Sequence, residues 1–286
     1  MAIRRLSDLN AAFDAGKWHL QRFQKNAGPA HALQWADPSF GSGQPPYDAR
    51  VGVPLEFTPA VAQKNDAIWF PSVASGEERY LVSATFWTNQ ATFNGPGSVV
   101  LYDLIGYYPL IDGDSNDPQD LDNTLPLPRY ADGKGVVAVM VNHIAPALQN
   151  GVCTIEYIDS TDTARSATVA IPNLGQNLVV SGHSGTSGSN YGTVNLPLPG
   201  GQGVKQITRI THTTAPGGLH CIYLIQILGT AVLGDNLLAY EKDFALKDGF
   251  RLPRIYDGAW LGWFDRIGTG TSRTVTAFGN FVFAWS

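Results

Sequence analysis

From Tyr80 onward the chain is built of short apolar runs rich in branched and aromatic residues, most of them closed by Gly, Pro, Asn or Asp. Tyr80–Trp87, Ser98–Tyr102, Gly135–Val141, Cys153–Ile158, Ser166–Ile171, Gln206–His212, Leu219–Leu228 and Thr274–Trp285 all have this form. Such side chains fit a pleated, half-buried surface, and the runs are shorter than most packed helices. The rest of the composition agrees. There are 31 Gly and 18 Pro, charged residues make up only 15%, and 19 of the 24 acids are Asp, the turn-forming one. The expected fold is therefore all-β, a jelly-roll-like β-sandwich with a short N-terminal helix and an extended arm. At 286 residues the body is one sandwich or two lobes.

Particular segments sharpen this picture. Gly135–Val141 is almost continuously apolar, as in a strand covered on both faces. Cys153–Ile158 and Ser166–Ile171 flank a polar tip at Asp159–Arg165 and read as a hairpin, and Asn150-Gly151 is a turn signal. Gln206–His212 alternates apolar and polar residues and leads through Pro216-Gly217-Gly218 into Leu219–Leu228. The apolar, aromatic ending predicts a last strand inside a sheet. Leu127-Pro128-Arg129-Tyr130-Ala131-Asp132-Gly133 is echoed by Leu252-Pro253-Arg254-Ile255-Tyr256-Asp257-Gly258, which suggests matching halves near 47–150 and 151–286 or chance similarity. At the other end, Ser7 is a candidate cap, and Leu6, Leu9 and Phe13 fall at helical spacing. The spacing predicts a helix over 6–25, or two short helices parted at Gly16, then an irregular stretch to Pro46. The expected division is thus 1–46 and a body of 47–286.

The formal net charge is −5, but it is uneven. Residues 1–26 carry five basic groups (Arg4, Arg5, Lys17, Arg22, Lys25) against Asp8 and Asp14, a net of +3, so the remainder carries −8. A basic segment on an acidic body suits contact with something negative, or a solvated helix. The overall charge gives no reason to expect nucleic acid as a direct partner. Cys153 and Cys221 sit in apolar runs, where buried free thiols are expected. Met1–Asn10 lacks the apolar stretch of a secretory signal, so cytosolic synthesis is expected. The most apolar stretch, Leu219–Leu233, is shorter than a membrane-spanning helix, so no membrane association is expected.

Chemically suggestive patterns are incomplete. Gly182-His183-Ser184-Gly185 lacks the glycine two residues after the serine that a nucleophile elbow needs; position 186 is Thr. Asp112, Asp114 and Asp117, with Asp120 and Asp122 beyond, form the densest acidic group. Calcium is the ion they could take, but Asp117 stands where an EF-hand needs Gly and Asn123 where it needs Glu. The alternative is a solvated Asp-rich turn. The same acids would have to serve a β-sandwich glycan hydrolase, since the five Glu are scattered. The six His show no zinc spacing, although His212 and His220 flank one turn and could meet across it. No catalytic residue and no cofactor are assigned. Trp260 and Trp263 stand with Tyr256 and Phe264 in an aromatic group suited to a core or to a subunit contact.

Met1-Ala2-Ile3-Arg4-Arg5-Leu6-Ser7-Asp8-Leu9, Tyr107–Asp114, Leu127-Pro128-Arg129-Tyr130 with Asp132-Gly133, and Phe283-Ala284-Trp285-Ser286 resemble a family of tailed-bacteriophage virion proteins. The likeness touches both ends and the middle; residues 49–97 and 181–205 fall outside it. It implies a non-enzymatic particle component, a capsid decoration (cement) or minor capsid protein. Its partners would be the major capsid protein and copies of itself in a homotrimer. Arg4, Arg5, Leu9, Phe13, Trp18, Arg22, Trp260 and Trp263 are the expected capsid or subunit contacts. A tail or fibre module binding a cell-surface glycan is the rival expectation.

Overall fold

The structure is a computed structural model. It describes residues 2–30, 35–37, 42–44, 52–62, 68–88, 97–144, 151–171, 180–181, 193–195, 203–233, 240–247, 249–266 and 273–286. One helix, α1 (Leu6–Asp14), precedes β1 (Trp18–Ala30), β2 (Trp35–Asp37), β3 (Ser42–Gln44), β4 (Thr58–Pro59), β5 (Arg79–Thr88) and β6 (Gly97–Asp112). There follow β7 (Gln119–Asp120), β8 (Val136–Ile144), β9 (Gly151–Asp159), β10 (Ala164–Ile171), β11 (Val180–Ser181) and β12 (Thr193–Asn195). The last are β13 (Val204–Thr214), β14 (Leu219–Leu233), β15 (Tyr240–Asp243), β16 (Arg254–Ile255), β17 (Trp260–Arg266) and β18 (Arg273–Trp285).

The expected all-β class is what the chain forms, with antiparallel sheets packed face to face. A long sheet runs β11-β2-β17-β6-β14-β8-β12, with β4 also on β6. Two smaller sheets, β15-β5-β18-β1-β3 and β10-β9-β13-β7, pack against it. Pairing among these strands is antiparallel except for β11 on β2.

The long strand β6 explains the arrangement. Val99 and Leu101 on one face meet Phe23, Phe86, Phe281 and Phe283 of the β5-β18-β1 sheet. Farther along the same face, Ile105, Tyr108 and Ile111 meet Cys153, Ile155, Tyr157, Ile207 and Ile210 of the β9-β13 sheet. One strand of 16 residues therefore serves two cores side by side. Its opposite face, with Tyr102, Leu104 and Tyr107, belongs to a third apolar cluster. Strand β8 is likewise buried on both faces, as its unbroken apolar run requires. Both main cores draw residues from either side of residue 150, so the halves suggested by the sequence echo pack together.

Between the two cores lies a buried ion pair. Asp103 stands on the face shared by Leu101 and Ile105, and its carboxylate takes two bonds from Arg129, Nε at 2.9 Å and Nη2 at 2.7 Å. The remaining guanidinium donors go to backbone carbonyls: Nη2 to Leu104 at 2.6 Å, and Nη1 to Ala60 and Gly258, each at 2.9 Å. All five N–H groups are used. Asp103 also accepts the Trp260 amide at 3.0 Å. At this point the neighbour of β6 changes from β17, ending at Trp260 opposite Leu104, to β4, with Pro59 opposite Gly106. Arg129 fills that gap. The two echoing segments meet here too, with the Tyr130 and Tyr256 rings 5.0 Å apart at 75°.

Several local expectations hold. The hairpin is β9–β10, and Asp159 organises its turn by accepting the amides of Thr161 and Thr163 and the Arg165 Nε. The C-terminal strand β18 lies between β5 and β1. Its Gly279 lets the Phe23 ring lie flat across the strand, because a Cβ there would run into that ring. Both cysteines are free and buried.

Other expectations are corrected. The helix predicted over 6–25 ends at Asp14. Gly16 takes φ +70°, and the amides of Gly16 and Lys17 reach the carbonyls of Phe13 and Ala12, a Schellman termination. Its N-cap is Arg5 rather than Ser7, and Asp8 reaches back to the Arg4 amide. Residues from Trp18 onward form β1, paired along β18. The pattern misleads because β1 turns His19, Gln21, Phe23 and Lys25 inward and Trp18, Leu20, Arg22 and Gln24 outward. Farther on, β2 joins β17 and β3 joins β1, so these pieces of the expected arm are sheet strands. In β13 the clean alternation gives way to a bulge that brings Ile207 and Ile210, three apart, to the same core.

Replacing Arg129 by Met strands a buried carboxylate and three carbonyls, and is expected to cost about 3–5 kcal/mol in urea unfolding. Arg254→Met, at the echoing position where Arg254 is 47% exposed beside Glu78, is expected to cost no more than about 1 kcal/mol.

Candidate functional site

The N-terminal segment builds a surface on the outer face of the β5-β18-β1 sheet. Helix α1 lays Leu9 and Ala12, with Ile3, over Tyr80, Val82 and Ala284. Past the end of the helix the cover stops. Trp18 is 46% exposed, Leu20 39% and Leu6, on the helix, 47%. The Phe13 ring lies 5.8 Å from Trp18 and supports it. Arg5 is spent on Asp8 at 3.1 Å, an exposed pair of little energetic weight. The guanidinium groups of Arg4 and Arg22 have no ion-pair partner among the described residues. An apolar strip with a free cation such as Arg22 at its edge can bury area against a partner and take a carboxylate at its rim.

The expected contact residues therefore divide. Arg4, Arg5, Trp18 and Arg22 are exposed and Phe13 is half-buried. Leu9, Trp260 and Trp263 are buried within the chain and have no surface to offer; Leu9 anchors the helix. Strand β17 sends Trp263 into the core with Phe23 and Trp260 into the opposite cluster, since both of its faces are covered. Leu20 belongs to the strip but is not among the expected contacts. Leu20 could be found only by reading 18–24 as a strand with its apolar side outward.

The acids Asp112, Asp114 and Asp117 share one loop without converging. Asp112 accepts the Asp114 amide at 2.9 Å, and Asp117 gives its amide to Ser115 at 3.1 Å. These are turn contacts, and among the described residues no three His, Cys, Asp or Glu side chains gather as metal ligands. Asp120 is paired with Arg209 at 2.5 Å. The Gly182–Gly185 segment lies outside the described residues. Burial pushes the Cys153 thiol up to about 12, which leaves it inert at neutral pH. No helix among the described residues is long and apolar enough to cross a membrane.

His212 and His220 do meet, with ring centroids 5.9 Å apart, where β13 of the small sheet turns into β14 of the long one. Both are buried, and neither His212 nitrogen has a hydrogen-bond partner among the described residues. Gly113 packs so closely on His220 that a side chain there would collide with the ring. Burial pushes both imidazoles down, His220 to about 3, with His212 adding to the effect and nearby Asp112 opposing it.

No protein-family model matches the chain. No curated protein matches it either. Among solved structures it is similar to the infectious bursal disease virus VP2 subviral particle, at 11% identity and a TM-score of 0.18 over 93% of this chain and 80% of that one. The structure of the Gt strain of that virus matches at 12% identity and a TM-score of 0.20, over 94% of this chain and 80% of that one. The T=1 particles derived from it match at 11% and 0.20, over 93% and 77%. Likeness this faint assigns no role to this chain.

The buried imidazoles set a pH dependence. Their folded-state pKa values lie below the unfolded value near 6.5, so the unfolded chain binds more protons and stability falls as pH drops from about 6.5 toward 3. The expected slope is up to about 1.4 kcal/mol per pH unit for each histidine. Asp159, also held low, loses its contribution only below the ordinary Asp range, so it does not mask this window. Urea midpoints measured from pH 6.5 to 4.5 should decline, and should flatten in the His212→Gln/His220→Gln variant.

Proposed function

We propose that this chain is a non-enzymatic structural subunit of a bacteriophage particle, a decoration (cement) protein that docks on the major capsid shell and strengthens it. The observation that carries this reading is the exposed strip of Trp18 and Leu20 on the outward side of β1, beside the unpaired Arg22. Large apolar side chains set together beside a cation suit a docking protein, which buries apolar area and takes charge at its rim. The strip is rigid, because β1 is paired along its length and the helix is anchored by its own core. The resemblance of both chain ends and the Tyr107–Asp114 segment to tailed-phage virion proteins points the same way. Copies of the chain would meet as a closed homotrimer, the form that decoration at a threefold position calls for.

Deleting residues 1–26 is a poor test, since it removes much of β1 from between β18 and β3. Surface substitutions separate docking from folding. Trp18→Ala is expected to weaken attachment by about 2 kcal/mol or more. Leu20→Asp with Arg22→Glu should lower affinity about tenfold or more. Both should leave the melting temperature near that of the parent. The assay is co-sedimentation with particles lacking this protein; parental attachment by both variants would overturn the docking strip.

A further inference from the structure

Farther along the same outer sheet face, beyond the apolar strip, the surface changes character. Trp87 on β5 and Phe278 on β18 are register partners, and their rings lie nearly parallel, 5.9 Å between centroids at 10°. Both are half-buried and both line a cleft of about 400 Å³, within the roughly 300–1,000 Å³ of small-ligand sites. Its other walls are Arg22, Gln24 and Asn280, with Phe23 and Gly279 in the floor. Arg22 faces Asn280 across the β1–β18 pairing, and Gln24 faces Phe278. The side chains of Arg22, Gln24 and Asn280 make no hydrogen bond or ion pair with described residues, so their donors are free.

We infer that this cleft binds an acidic saccharide, with a sugar ring packed on the Trp87–Phe278 pair and its carboxylate on Arg22. The outward face of an aromatic ring is flat and apolar and matches the C–H face of a sugar ring. Amide side chains of Gln24 and Asn280 both donate and accept, as hydroxyl groups require. A free guanidinium presents the fork that binds a carboxylate through two parallel bonds. A second copy of this chain is a poorer occupant, because it would have to satisfy three free polar side chains in a cleft with only one aromatic pair to bury. The apolar strip at Trp18 and Leu20 has the composition for that task. This inference goes beyond the docking proposal and does not depend on it.

The test uses the full chain against a panel of acidic and neutral oligosaccharides, sialyllactose and oligogalacturonate with lactose as neutral control. Titration is followed by calorimetry and by tryptophan fluorescence. Binding of at least one acidic member is expected, with lactose weaker. Gln24→Ala and Trp87→Ala should each weaken binding, the latter about tenfold or more. Arg22→Gln should bring acidic binding down to the neutral level. Failure of the acidic sugars to bind at millimolar concentration, or binding unchanged in both Gln24→Ala and Trp87→Ala, overturns the inference. So does a Trp87→Ala effect confined to sedimentation, which would make the cleft a contact between copies. Trp87→Ala should attach to particles like the parent, so failure here and failure of the docking strip are read separately.

Discussion

Arg129 holds together a strand that has to do two jobs. Strand β6 crosses from one core to another, and midway its lateral neighbour changes from β17 to β4. Such a switch leaves backbone carbonyls facing a gap away from water, where an unmet acceptor costs about 1–3 kcal/mol. An apolar side chain would fill the space and leave the carbonyls unmet. A guanidinium meets three of them and still has two donors for Asp103. Burial alone pushes the Asp103 carboxyl up; the Arg129 charge and bonds and the Trp260 amide oppose that shift. The pair is therefore better understood as a device for register than as a source of net stability. With β6 held in one register, both cores receive the intended side chains, since a slip of one residue would turn each of them over.

The outer face of the β5-β18-β1 sheet shows how one surface is divided among uses. Its first part is sealed by α1 over Tyr80, Val82 and Ala284. Its middle carries Trp18 and Leu20 in the open. Its far part holds the Trp87–Phe278 pair among Arg22, Gln24 and Asn280. All three parts sit on paired strands, so neither the strip nor the cleft has to be ordered on binding, which removes a large entropic cost. Arg22 lies at the border of the two and could serve either. The turn from β13 into β14 has a different character: the buried His212–His220 corner ties the β9-β13 sheet to the long sheet and makes that junction sensitive to acid.

Much of the architecture was legible in the sequence, for identifiable reasons. Branched and aromatic runs cut by Gly, Pro and Asp admit strands and little else, which determined the all-β class, the β9–β10 hairpin, the doubly buried β8 and the interior position of β18. Local pattern was also enough to leave Cys153 and Cys221 as buried thiols. What local pattern could not carry was anything set by a distant partner. Residues 18–25 look helical in isolation, yet pairing with β18 makes them a strand that turns Phe23 into the core and Trp18 and Leu20 outward. Trp260 and Trp263 suit a core or a subunit contact by type alone, and the sheets that close over both faces of β17 make them core. Arg129 and Arg254 sit in nearly identical heptapeptides, but one is buried at a strand switch and the other exposed. Side-chain chemistry is local and so is readable from sequence. Which face meets water, and which charge is buried, depends on contacts between residues more than a hundred positions apart, and only the tertiary structure decides that.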